Sequence, residues 1–222
     1  MIVGEQKPID EIWEMTRNHK RVMILGCNCC VAVCHQGGTK QAEMLASLLN
    51  MRAVQEEVEI VYAHGGIERQ CEHDFFVPML EDLQKEEAVL SLACGVGVQF
   101  MAEKFASLPV YPGLNTTFLG AVPKPGIFTE KCQACGNCVL AVTGGICPVA
   151  RCAKRLFNGP CGGASGGRCE INRELDCAWQ LIVDRLEALG RLDDYEKLFP
   201  LRDWSCDRAG GPRRLDIEGY VP

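Results

Sequence analysis

The sequence predicts an α/β chain in two parts: a small parallel sheet with crossover helices over residues 1–122, then a cysteine-rich domain over residues 123–222 that contains one further helix. Three observations predict this. Short β-rich apolar runs alternate with amphipathic stretches in the first half, the rhythm of strands joined by crossover helices. That rhythm stops at Val122-Pro123-Lys124-Pro125-Gly126, which reads as a linker because each proline fixes its own φ and biases the residue before it away from helix. Residues 126–168 are rich in Gly, Cys and Pro without a periodic apolar pattern, so hydrophobic burial alone cannot hold them together.

The elements are expected in the following order. A helix over residues 9–17 packs on a sheet edge with Asp10 as its cap. Residues 21–26 (RVMILG), 58–63 (VEIVYA) and 88–93 (AVLSLA) are strands, and residues 109–111 begin a fourth. Between them, residues 39–49 place Ala42, Leu45, Leu48 and Leu49 on one helical face, and residues 75–83 and 98–105 are further amphipathic stretches. The runs are apolar on both faces, as strands covered by helices on both sides should be, which makes the sheet Rossmann-like. In the second half, Leu175, Trp179, Ile182, Val183, Leu186 and Leu189 form the apolar stripe of a helix that stops at Gly190.

Composition narrows the function. The chain has 222 residues, 15 of them cysteine, and a formal net charge of −6. Disulfide scaffolds are secreted chains below about 100 residues with cysteine above roughly 8–10%, and this chain is longer, less enriched and odd-numbered in cysteine. No basic and apolar leader pattern opens the sequence and no run approaches 18 apolar residues, so an unexported, cytoplasmic protein without a membrane span is expected. A net acidic chain does not offer nucleic acid a clustered basic face. The thiols are therefore read as metal ligands.

Two cysteine constellations carry that reading. Cys132-x2-Cys135-x2-Cys138, followed by Cys147-Pro148, follows the grammar of bacterial ferredoxins, although the third gap is eight residues rather than three. With Cys152, Cys161, Cys169 and Cys177, eight thiols lie between residues 132 and 177, enough for two [4Fe–4S] clusters or for two four-thiolate zinc sites. The triplet favours iron, because structural zinc sites draw two ligands from each of two knuckles. The Cys-Pro pair and the abundance of glycine in the intervening sequence point the same way. Spacing does not tell which cysteine completes which cluster; by analogy with two-cluster ferredoxins, whose Cys-Pro residue serves the other cluster, one grouping sets Cys132, Cys135, Cys138 and Cys177 against Cys147, Cys152, Cys161 and Cys169.

The second constellation, Gly26-Cys27-Asn28-Cys29-Cys30-Val31-Ala32-Val33-Cys34, follows the first predicted strand, and Cys94 follows the third in the same way. Parallel strands bring both loops to one sheet edge, so Cys27, Cys30, Cys34 and Cys94 are candidate ligands of one metal, with Cys71 a fifth and Cys29 a bystander. Other motifs are weaker. Gly37-Gly38 and Gly95-x-Gly97 lack the full dinucleotide fingerprint, and His35, His64 and His73 read as polar surface residues. No Ser-His-Asp or Cys-His nucleophile arrangement is visible, and Cys206 has no assigned role.

The stretch CQACGNCVL…GGICPVARCAKRLFNGPCGG, followed by GGRCEIN and DCAW, resembles the methylenetetrahydrofolate reductase C-terminal domain family. GCNCCVAVC and LACGVGVQ are similar to segments of its MetV-type small iron–sulfur subunits. The resemblance spans about residues 21–204 and implies an electron-transfer subunit of methylenetetrahydrofolate reductase in the one-carbon Wood–Ljungdahl pathway. It implies a partner: a TIM-barrel catalytic subunit carrying FMN or FAD and reducing methylene- to methyl-tetrahydrofolate. It also implies an iron–sulfur or flavoprotein electron donor, and zinc or a further cluster in the N-terminal domain. The alternatives are a structural zinc module that mediates interactions, or an N-terminal zinc-thiolate or cluster site with its own catalytic role.

Overall fold

The computed structural model describes residues 1–196, 202, 204–209 and 211–215. The chain divides into two compact units, Met1–Thr129 and Glu130–Pro222.

In the first unit, β1 (Ile2–Gln6), α1 (Ile9–Thr16), β2 (Arg21–Cys27), the single turn α2 (Cys30–Val33) and α3 (Thr39–Gln55) come first. They are followed by β3 (Val61–Ile67), a 3₁₀ segment (Asp74–Met79), α4 (Leu80–Leu83), β4 (Ala88–Leu92), α5 (Gly95–Lys104) and β5 (Val110–Pro112). β6 (Leu114–Lys124) and β7 (Ile127–Cys132) complete the list. The four-stranded sheet has the order β3-β2-β4-β5 and is parallel throughout. Chain order reverses between β2 and β4, so the loops after these two strands flank a topological switch point, where open α/β sheets bind their ligands.

Both faces of this sheet are covered, and the side-chain period of two sorts the strands into two cores. Val22, Ile24, Leu90 and Leu92 join Ile12 and Trp13 of α1 and Ala42, Leu45, Ala46 and Leu49 of α3. Met23, Leu25 and Val89 point the other way, against Phe76, Leu83 and Met101. Each fully buried side chain of this size contributes roughly 1.5–3 kcal/mol relative to exposure, so this unit has a self-sufficient core.

Several expectations need correction. β1 was not expected. It pairs antiparallel with β6 across more than 100 residues of chain, a partner that local pattern cannot reveal. Val122–Gly126 is not a linker: β6 runs through Lys124, Pro125-Gly126 forms a two-residue turn, and β7 returns beside β6 in the sheet β1-β6-β7. Proline with fixed negative φ followed by Gly126 at φ 77° has the sign pattern of a type II turn, so hairpin and linker share a composition here. Asp10 does not cap α1; Pro8 holds that position, and the Asp10 carboxylate, in the first turn, accepts 2.6 Å from Arg52. Residues 75–83 are not one helix, because Pro78 interrupts the pattern. Leu48 lies on the outer side of α3, 42% exposed, and Ala46 and Ala53 take the inner positions beside Leu45 and Leu49.

The second unit has little regular structure: the single turn α6 (Pro148–Arg151), α7 (Ala178–Ala188), a short 3₁₀ turn (Leu192–Asp194) and one wide helical turn (Ser205–Ala209). Its buried apolar cluster consists of Trp179, Ile182 and Leu186, supported by Ile146, Cys152, Cys177 and Tyr195. Leu175 and Leu189, expected on the stripe of this helix, are 50% and 41% exposed. Gly190, at φ 64°, ends α7 as expected.

Candidate metal centres

The first candidate centre is built by the switch-point loops. Cys27 is the last residue of β2, Cys94 is the N-cap residue of α5 two positions beyond β4, and Cys30 opens α2. Gly26 is required because the turn before α3 lies on top of it: a Cβ there would stand 2.3 Å from the Gly38 carbonyl carbon. The Asn28 amide oxygen accepts the Thr39 N–H at 2.8 Å, which pins the Cys27–Cys30 turn to the start of α3.

Four thiols interact across this edge. The Cys27 thiol is pushed up from its ordinary value by burial, then by the nearby Cys94 and Cys71 thiols, against the N–H groups of Gln70 and Cys29. Cys71 is raised by burial and by Cys94 and Cys30, while Arg69 works the other way. Cys27 and Cys71 thus share one electrostatic neighbourhood with the other two thiols, and a divalent metal or cluster would relieve the repulsion of thiolates placed there. Cys29 is closer to this group than a bystander, its Sγ 4.0 Å from that of Cys30. Cys34 is buried and faces the core, its thiol donating to the Val31 and Gly4 carbonyls at 3.2 and 3.7 Å.

Sequence reasoning missed Gln70. Its side chain is fully buried; Nε2 donates to the Leu25 carbonyl of β2 at 2.8 Å, and Oε1 accepts from Ser91 Oγ of β4 at 2.6 Å. One amide thus joins the two strands that carry the Cys27 and Cys94 loops, one residue before Cys71. No motif marks it, since its role exists only once β2 and β4 are neighbours. His35, His64 and His73 are exposed.

In the second unit, Cys152, Cys161, Cys169 and Cys177 line one pocket together with Lys154 and Trp179. A chain reversal assembles it: Arg168 bridges to Asp176, Cys169 N–H donates to Leu175 O at 2.9 Å, and Cys177 N–H to Gly167 O at 2.8 Å. This places Cys177 with the later cysteines, whereas the grouping by ferredoxin analogy joins it to the triplet. Backbone N–H groups of Asn172 and Ile171 hold the Cys169 thiol below its ordinary value, with Lys154 and Arg173 adding to the effect. Gly163 N–H points at Cys161 Sγ at 3.4 Å, and the Lys154 ammonium pairs with Glu170.

The triplet loop has the same character. Ala134 N–H donates to Cys132 Sγ at 3.3 Å, and Arg202 Nη2 to Cys135 Sγ at 2.8 Å. Gly136, at φ 86°, lies against the C-terminal segment, where a Cβ would stand 2.7 Å from the Cys206 carbonyl oxygen. N–H groups aimed at cysteine sulfur, in a glycine-rich shell, are what an iron–sulfur cluster uses to stabilise its charge. The donor set therefore fits such a group. Among the described residues, no three Cys, His, Asp or Glu side chains already stand in the geometry of a bound ion.

No helix among the described residues is long and apolar enough to cross a membrane. No curated protein and no solved structure matches the chain. One family model does: residues 111–205, which include all eight cysteines between Cys132 and Cys177, match the family described as methylene-tetrahydrofolate reductase C terminal, and this match associates the chain with that oxidoreductase.

Proposed function

We propose that this chain is an iron–sulfur electron-transfer subunit that passes electrons to a flavin-carrying catalytic subunit of methylenetetrahydrofolate reductase. The observation that carries the reading is the cysteine arrangement inside the matched region. Four of its eight thiols, Cys152, Cys161, Cys169 and Cys177, line one pocket. The remaining four, Cys132, Cys135, Cys138 and Cys147, retain the ferredoxin-like triplet and Cys-Pro. Two [4Fe–4S] clusters held in this way would supply one-electron steps between a donor and the partner's flavin. The chain's own residues bind and orient the clusters and set their charge through N–H···S contacts. In the first unit, Cys27, Cys30, Cys71 and Cys94 are the proposed ligands of zinc or of a further cluster.

Iron, zinc and acid-labile sulfide per chain, measured on protein isolated without oxygen, test this reading. Near eight iron and eight sulfide in the second unit, with an EPR signal on reduction and reduction of the partner's flavin, are expected from two clusters. Colourless protein holding only zinc would establish the structural zinc module instead. Loss of turnover in Cys27→Ala with both second-unit spectra and partner binding intact would move the chemistry to the first unit.

A further inference from the structure

We infer that Arg202 sets the reduction potential of the iron–sulfur centre at Cys132, Cys135 and Cys138 by holding its guanidinium against the Cys135 sulfur; the inference rests on the cluster reading above. Arg202 Nη2 donates to Cys135 Sγ at 2.8 Å, a close contact between a cationic donor and a candidate ligand sulfur. The guanidinium is held in place by aromatic rings, its central carbon 4.4 Å from the Trp204 centroid and 5.3 Å from that of Phe157. Its other two nitrogens, Nε and Nη1, are sealed from solvent and have no hydrogen-bond partner among the described residues. Buried donors on a cation are costly to leave unanswered. A thiolate-ligated cluster at Cys135 is an anion of the kind that answers them.

The segment carrying Arg202 is itself fastened to the triplet loop. The Cys206 thiol donates to the Cys135 carbonyl at 3.4 Å, and Arg213 spans the Cys206 and Ala134 carbonyls at 3.0 and 2.9 Å. Gly136 leaves room for this approach, because a side chain there would meet Cys206 backbone. The cation is thus a fixed part of the site. Reduction adds one electron, and with it one negative charge, to the centre. A fixed guanidinium on a ligand sulfur stabilises the reduced form and raises the potential. Arginine suits the position better than lysine, since its planar fork stacks on rings and is weakly hydrated.

The test is a potentiometric titration followed by EPR on the full chain isolated without oxygen, comparing wild type with R202Q and R202K. In R202Q, one of the two cluster waves should move to lower potential and the other stay in place. The reduced-to-oxidised ratio of the affected centre should fall about tenfold at a given potential, equivalent to about 59 mV for a one-electron couple. R202K, which keeps the charge without the fork, should fall between R202Q and wild type. An R202Q wave coincident with wild type, or an equal shift of both waves, would overturn the role of Arg202. If R202Q assembles no cluster at the triplet, R202K decides, and a wave coincident with wild type overturns the proposal. A wild-type chain without iron and sulfide would overturn the cluster reading itself.

Discussion

Cys34 and Cys27 show how far a residue's chemistry depends on the direction of its side chain. Both stand in the C-x2-C-x3-C frame, and spacing makes them equivalent candidates. In the structure, the Cys27 thiol, which donates to the Glu68 carbonyl at 3.8 Å, is near enough to Cys71 and Cys94 for them to raise its pKa, while that of Cys34 donates to the Val31 and Gly4 carbonyls. Spacing could not separate them because Gly4 belongs to β1, whose pairing with β6 joins distant parts of the chain. Cys34→Ala should therefore keep the metal proposed for the first unit and lower stability by roughly 1 kcal/mol, the scale of one small buried group. Cys27→Ala should lose the metal. Metal analysis and thermal unfolding of the two variants check this, and metal loss in Cys34→Ala would restore that thiol to the ligand set.

At the scale of elements, the parallel strands were readable because continuous apolar runs of five or six residues have few other uses. The crossover helices were readable from their amphipathic period, apart from the stretch that Pro78 breaks. The hairpin was not. Proline and glycine serve linkers and tight turns alike, and only the partner strand decides between them. Gly126 now carries a specific demand, since φ 77° is unfavourable for a β-branched side chain. Gly126→Val should lower stability by about 1–3 kcal/mol, read as a shift of the urea midpoint, with iron content unchanged. An unshifted midpoint would mean that the segment behaves as a linker after all.

For the molecule as a whole, the two units rest on different physical foundations. The first has two apolar clusters on either side of a sheet; the second buries Trp179, Ile182 and Leu186 as its apolar cluster, with Cys152 and Cys177 packed against it, and carries eight cysteines between residues 132 and 177. The sequence revealed this contrast through the missing periodicity of residues 126–168. It did not reveal which thiols meet, since chain reversals such as Arg168 against Asp176 are set by turn geometry rather than by spacing. Stripping metal with an oxidant and chelator should leave a protease-resistant fragment of about residues 1–129 while cleavage spreads through residues 130–196. Mass spectrometry of the limited digest reads this directly. Equal cleavage of both units would show that they depend on metal alike.

The Gln70 amide acts as a latch between two strands, answering a carbonyl with a donor and a hydroxyl with an acceptor. An amide has no proton to gain or lose at the pH values in which proteins work. The spacing of the Cys27 and Cys94 loops is therefore insulated from acidity. A carboxyl group in the same place would hold the strands together only while protonated, and the geometry of the edge would then follow the solvent.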